Sequence, residues 1–72
     1  MHIGKHIHNE LKRQGRTVTW FARALNVVRT NAYDIFSRNT IDTELLQRIC
    51  KILHYDFFKD LSDDLGSYDE EK

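Results

Sequence analysis

Apolar residues recur along this chain at a helical spacing almost throughout. Ile3, Ile7 and Leu11 stand four apart, one stripe of a first helix. Val18, Phe21, Ala22 and Leu25 fall at i, i+3, i+4 and i+7, the inner face of a second. A third, from about Arg29 to Arg38, turns Ala32, Ile35 and Phe36 inward. Leu45, Leu46, Ile49, Ile52 and Leu53 make the wide stripe of a fourth, and Phe57, Phe58 and Leu61 belong to a short fifth. The punctuation agrees. Gly15 suits the left-handed residue that closes a helix, and Thr17, Asp42 and Asp56 are capping types ahead of the next ones. Ile41 can staple against Leu46. Asn26, the non-glycine residue most tolerant of positive φ, marks a sharp turn. The pattern predicts an all-α domain of five short helices over residues 1–61, with no repeat and no linker. Residues 62–72, SDDLGSYDEEK, are acidic and nearly devoid of apolar side chains, and read as a disordered tail.

Composition narrows the function more than the fold. A chain of 72 residues is one domain with a modest core. Its single cysteine, Cys50, excludes an internal disulfide. No apolar run approaches the ~20 residues of a membrane span, and the amphipathic MHIGKHIHNELKRQG is no signal peptide, so a cytoplasmic location is the expectation. The formal net charge is zero, but it is segregated. Residues 1–38 carry seven Lys/Arg against two Asp/Glu, net +5; residues 39–72 carry four against nine, net −5. A basic front half can meet phosphates even when an acidic back half cancels it in the total.

Five short helices with a three-residue turn between the second and third resemble the phage-repressor/Cro-type helix-turn-helix family over Ile3 to about Leu61. Ala22 matches the alanine midway along that family's first motif helix. Asn26 stands at its turn residue, Val27 at the apolar residue after the turn, and Ala32 and Ile35 at the two inward positions of its recognition helix. A small Ala22 has a physical reason, because two helices crossing over a short turn bring their backbones close. The chain departs from the family in three places. Val18 replaces a phosphate-bonding glutamine. Val28 replaces a Ser/Thr cap, so that Thr30 is the candidate to cap the third helix a residue or two late. Leu11 and Phe36 replace an ion pair that some members bury, an exchange close to neutral when both partners change together.

The resemblance implies a lambda-repressor-like fold and DNA reading by the third helix. On its outer face and flanks, Arg29, Thr30, Asn31, Tyr33 and Asp34 are the candidate base contacts. Arg29 suits guanine O6 and N7, Asn31 suits adenine N6 and N7, Tyr33 a thymine methyl or a phosphate, and Asp34 a cytosine amino group. Arg38, four residues on, can neutralise Asp34. Phosphate contacts are expected from Arg16, Thr17, Thr19, Arg23, Ser37, Arg38, Asn39 and Thr40. Trp20 lies opposite the inner stripe of the second helix; an exposed indole there is a candidate partner surface, and the alternative is a ring folded back over the first or third helix.

His2 and His6 are four apart with His8 near, yet no Cys, Asp or Glu nearby completes a tetrahedral set, so no metal is expected. No nucleophile–base–acid arrangement or glycine-rich phosphate loop is present, which argues against catalysis and against a cofactor. The expected function is sequence-specific binding of double-stranded DNA as a small transcriptional regulator, repressor-like and homodimeric. The alternative is a protein-interaction module, such as the antitoxin-like partner of a toxin, built on the same fold.

Overall fold

The computed structural model describes residues 1–65, which form five α-helices: α1 (Ile3–Arg13), α2 (Val18–Leu25), α3 (Arg29–Phe36), α4 (Thr43–Leu53) and α5 (Phe57–Asp64). Four of them start on a side chain that accepts an otherwise orphaned backbone N–H. His2 Nδ1 accepts from Lys5 N at 3.1 Å, Thr17 Oγ1 from Trp20 N at 3.0 Å, Asp42 Oδ1 from Leu45 N at 2.8 Å and Asp56 Oδ1 from Lys59 N at 3.0 Å. Three helices close through a left-handed residue: Gly15 (φ 73°), Asn26 (φ 63°) and His54 (φ 52°). At each, the amide of the following residue reaches back to the last helical turn. Arg16 N donates to Leu11 O at 3.1 Å, Val27 N to Ala22 O at 2.9 Å and Tyr55 N to Cys50 O at 3.1 Å. The pattern foresaw the turns at Gly15 and Asn26. It gave no sign of His54, although histidine is among the non-glycine residues enriched in this conformation.

One core joins all five helices. Ile7, Leu11, Phe21, Leu25, Leu46, Ile49, Leu53 and Phe57 are essentially sealed from solvent, and each such burial is worth roughly 1.5–3 kcal/mol. Leu11 and Phe36 are both buried in this core. Val18, Trp20, Ile41, Ile52, Phe58 and Leu61 pack on the rim.

Side-chain ties then lock the helices to one another. Gln14 Nε2 donates both to Glu10 Oε2 and to the Leu53 carbonyl, each at 2.8 Å, and so joins α1 to the end of α4. Glu10 is buried, but Arg13 Nε donates to it at 2.8 Å, and that guanidinium keeps its carboxyl below the ordinary range against the opposing effect of burial. His6 Nε2 and the Tyr55 hydroxyl both bond Asp60 Oδ2, tying α5 to α1. These two bonds lower the Asp60 carboxyl, and the Asp60 bond pushes the Tyr55 hydroxyl up to about 12.

The start of α1 sits against the end of α3. Ile3 N donates to Asn39 O at 3.2 Å and Gly4 N to Arg38 O at 3.0 Å. A β-carbon on Gly4 would collide with the backbone carbonyls of Ile35 and Phe36. This seat ends α3 earlier than its apolar pattern suggests, at Phe36 rather than Arg38. Ser37 Oγ donates to Asp34 O at 2.7 Å and completes the stop. At the far end, α5 continues through Ser62, Asp63 and Asp64, past the boundary read from composition; residues 66–72 of the expected tail lie outside the described residues.

Candidate nucleic-acid interface

Two short helices and the turn between them carry the candidate surface. Asn26 adopts φ 63°, ψ 45°, its own amide donates to Arg23 O at 3.1 Å, and the chain reverses into α3 within three residues. Ala22 and Ala32 are buried where α2 packs on α3. A guanidinium braces the joint from outside, with Arg48 Nη2 of α4 donating to the Leu25 carbonyl at 2.9 Å. That carbonyl is one of those left without a partner at the end of α2. Nothing along the chain marks Arg48 for this role, because a lone arginine on an outer helix face carries no sign of what it will touch.

Ala32, Ile35 and Phe36 turn inward, which leaves Arg29, Thr30, Asn31, Tyr33 and Asp34 exposed on α3. Arg16, Thr17, Thr19 and Arg23 are exposed at and along α2, and Ser37, Arg38, Asn39 and Thr40 after α3. Each of these residues is therefore exposed on α2, on α3 or on the segments flanking them.

These groups differ in how far they are already engaged. Arg38 grips Asp34 through Nε at 3.1 Å and Nη2 at 2.7 Å, so the one carboxylate on this surface is neutralised by its neighbour. Between Arg16 and Thr40 the chain carries four arginines and one carboxylate, and the pair leaves Arg16, Arg23 and Arg29 as net positive charge. Arg29 is lightly held. Its Nη2 is 3.5 Å from the Tyr33 hydroxyl, at the limit of a hydrogen bond, and its guanidinium carbon lies 5.9 Å from the Tyr33 ring centroid. Ser37 has its proton committed to Asp34 O. Thr17 accepts as a cap and keeps its hydroxyl proton for donation.

Two expectations need correction. Trp20 is half-buried against the core and covered by the Arg16 guanidinium, 4.1 Å from its ring centroid. It is therefore no open indole platform, because at the first turn of α2 the ring folds back over the core rim. The same contact draws Arg16 toward the indole. Thr30 does not cap α3: the helix begins at Arg29 on Val28, which makes no side-chain cap bond. The 64% exposure of Val28 was also not foreseen. The available signal was an apolar residue in a capping position, where a hydroxyl or carboxylate is worth about 1 kcal/mol.

The N-terminal histidines have structural partners. His2 caps α1, His6 bonds Asp60, and His8 stacks on Phe36 with 4.2 Å between ring centroids and 3° between planes. Burial lowers the His8 imidazole below its ordinary value, with nearby Lys12 acting in the same direction. No helix among the described residues is long and apolar enough to cross a membrane. No protein-family model, characterised protein or solved structure matches the chain.

Proposed function

We propose that the chain is a sequence-specific binder of double-stranded DNA, a lambda-repressor-like helix-turn-helix domain acting as a small cytoplasmic transcriptional regulator. One observation carries the reading. After a left-handed turn at Asn26, α3 offers Arg29, Thr30, Asn31, Tyr33 and Asp34 to solvent, backed by a buried apolar face. A helix so mounted can enter the ~12 Å major groove with its N-terminal residues at the base edges. Arg23, Thr19, Asn39 and Thr40 then lie around it as phosphate donors. Titration with mixed-sequence duplex at low salt tests this. Resonances of Arg29 to Arg38 should shift, and the shifts should weaken steeply as salt rises. Unmoved resonances at low salt would refute DNA binding.

Such a regulator pairs two copies over two half-sites. We place the pairing on the open groove between α4 and α5, about 500 Å³, lined by Cys50, Tyr55 and Phe58 with Lys51 and Asp56 beside them. A face with both signs around an apolar centre is complementary to itself across a two-fold axis. Sedimentation of the chain and of Phe58→Glu tests this, and identical monomeric behaviour of both would remove the homodimer.

A second reading, a protein-interaction module such as an antitoxin-like partner, draws on two exposed apolar side chains, Val28 just before α3 at 64% and Tyr33 on it at 48%. Arg29→Ala with Arg38→Ala separates the two readings. DNA binding should vanish under the first, whereas a protein complex resting on the apolar side chains would persist.

A further inference from the structure

We propose that Val28 is a specificity residue that reads the 5-methyl group of a thymine next to the guanine read by Arg29. This rests on the DNA-binding reading above and adds a base preference to it.

Val28 is placed badly for folding alone. It precedes the first residue of α3, where an accepting side chain would satisfy an orphaned amide, and it makes no such bond. It is not tucked away in compensation. Val27, its neighbour, packs against the core, while Val28 stands 64% exposed. Its two methyl groups therefore project from the tip of α3, where a recognition helix meets base edges.

Among the bases, only thymine presents a methyl group in the major groove, and an apolar side chain is its natural contact. The next residue, Arg29, carries the fork that matches guanine O6 and N7. Among the described residues its guanidinium is held by nothing stronger than the 3.5 Å contact to Tyr33, so turning it to a base displaces little. Asp34, the one acidic group on this helix, is tied to Arg38 and does not oppose the approach. Val28 and Arg29 sit ~3.8 Å apart along the chain, close to the ~3.4 Å rise of one base pair, so the proposal sets the thymine beside the guanine.

The test selects duplexes from a random pool with the full chain and with Val28→Ser in parallel. Serine suits an exposed position and supplies the missing cap, so the variant folds. The chain should enrich a half-site with adjacent thymine and guanine, and Val28→Ser should lose preference at the thymine while keeping the guanine. In the selected duplex, replacing that thymine by uracil removes only the methyl group. It should weaken the chain about fourfold, one apolar carbon's worth, and leave Val28→Ser unchanged. An enriched site without that thymine, or full affinity for the uracil duplex, overturns the inference while DNA binding stands. No enrichment by the chain overturns both.

Discussion

Replacing Gly4 by alanine should destabilise the protein, although helix propensity alone says the opposite. Gly4 lies in the first turn of α1, where alanine would gain up to about 1 kcal/mol. The added β-carbon, however, meets the Phe36 and Ile35 carbonyl oxygens far inside van der Waals contact, and these are backbone atoms that cannot swing aside. Either α1 lifts from the end of α3 or α3 shifts. Overpacking of this kind costs about 1–3 kcal/mol. Lifting α1 also weakens Gly4 N to Arg38 O and Ile3 N to Asn39 O, bonds worth about 1 kcal/mol each. The net expectation is a loss of about 2–4 kcal/mol, a large part of the stability of a domain this small. Urea unfolding followed by helical circular dichroism measures it. Gly15→Ala is the comparison: open space surrounds Gly15, so only its positive φ is strained and about 1 kcal/mol is lost. A Gly4→Ala protein as stable as the parent, or more stable, would refute the close seating of α1 on α3. Because that seat sets where α3 ends, the loss should be accompanied by shifted resonances from Ser37 to Asn39.

Asp60 should make stability depend on pH on the acid side. Its carboxyl is lowered by the His6 and Tyr55 bonds, so its contribution is complete above the unfolded carboxylate value and disappears as pH falls through the lower folded value. Asp60→Asn should cost about 1–2 kcal/mol near neutrality, and urea midpoints of variant and parent should converge in strong acid; a constant gap down to that pH would contradict the linkage. Val28→Ser should raise the thermal midpoint, because a cap worth about 0.5–1.5 kcal/mol replaces an exposed valine; a lowered midpoint would mean that Val28 packs where none is seen. Arg48→Ala should cost about 1 kcal/mol and speed amide exchange at Asn26 and Val27, since it removes the bond to Leu25 O. Unchanged exchange there would mean the turn stands without that brace.

The helices were largely legible because their signals are local. Period-3.6 apolar stripes, Thr17, Asp42 and Asp56 as caps, and Asn26 as a left-handed turn each act within a few residues, and each stands where the pattern placed it. The outward face of α3 was legible for the same reason: once Ala32, Ile35 and Phe36 are buried, the wheel decides the rest. Trp20 shows the limit of the wheel. It gives the direction of the α-carbon bond, whereas a long flat side chain can fold over its helix and take Arg16 with it.

The order of elements, their inner faces and the segregation of charge were thus determined by the residues themselves, through interactions short enough to be read along the chain. The tertiary structure decided which lone polar groups meet across helices: Arg48 with the Leu25 carbonyl, Gln14 with the Leu53 carbonyl, His6 and Tyr55 with Asp60. It decided, too, that Gly4 cannot be anything larger and that Val28 is left bare. The physical reason is one of range. Hydrogen bonds and steric contacts act over a few ångströms in space between residues tens of positions apart, and no local pattern records which partners the packing will bring within that distance.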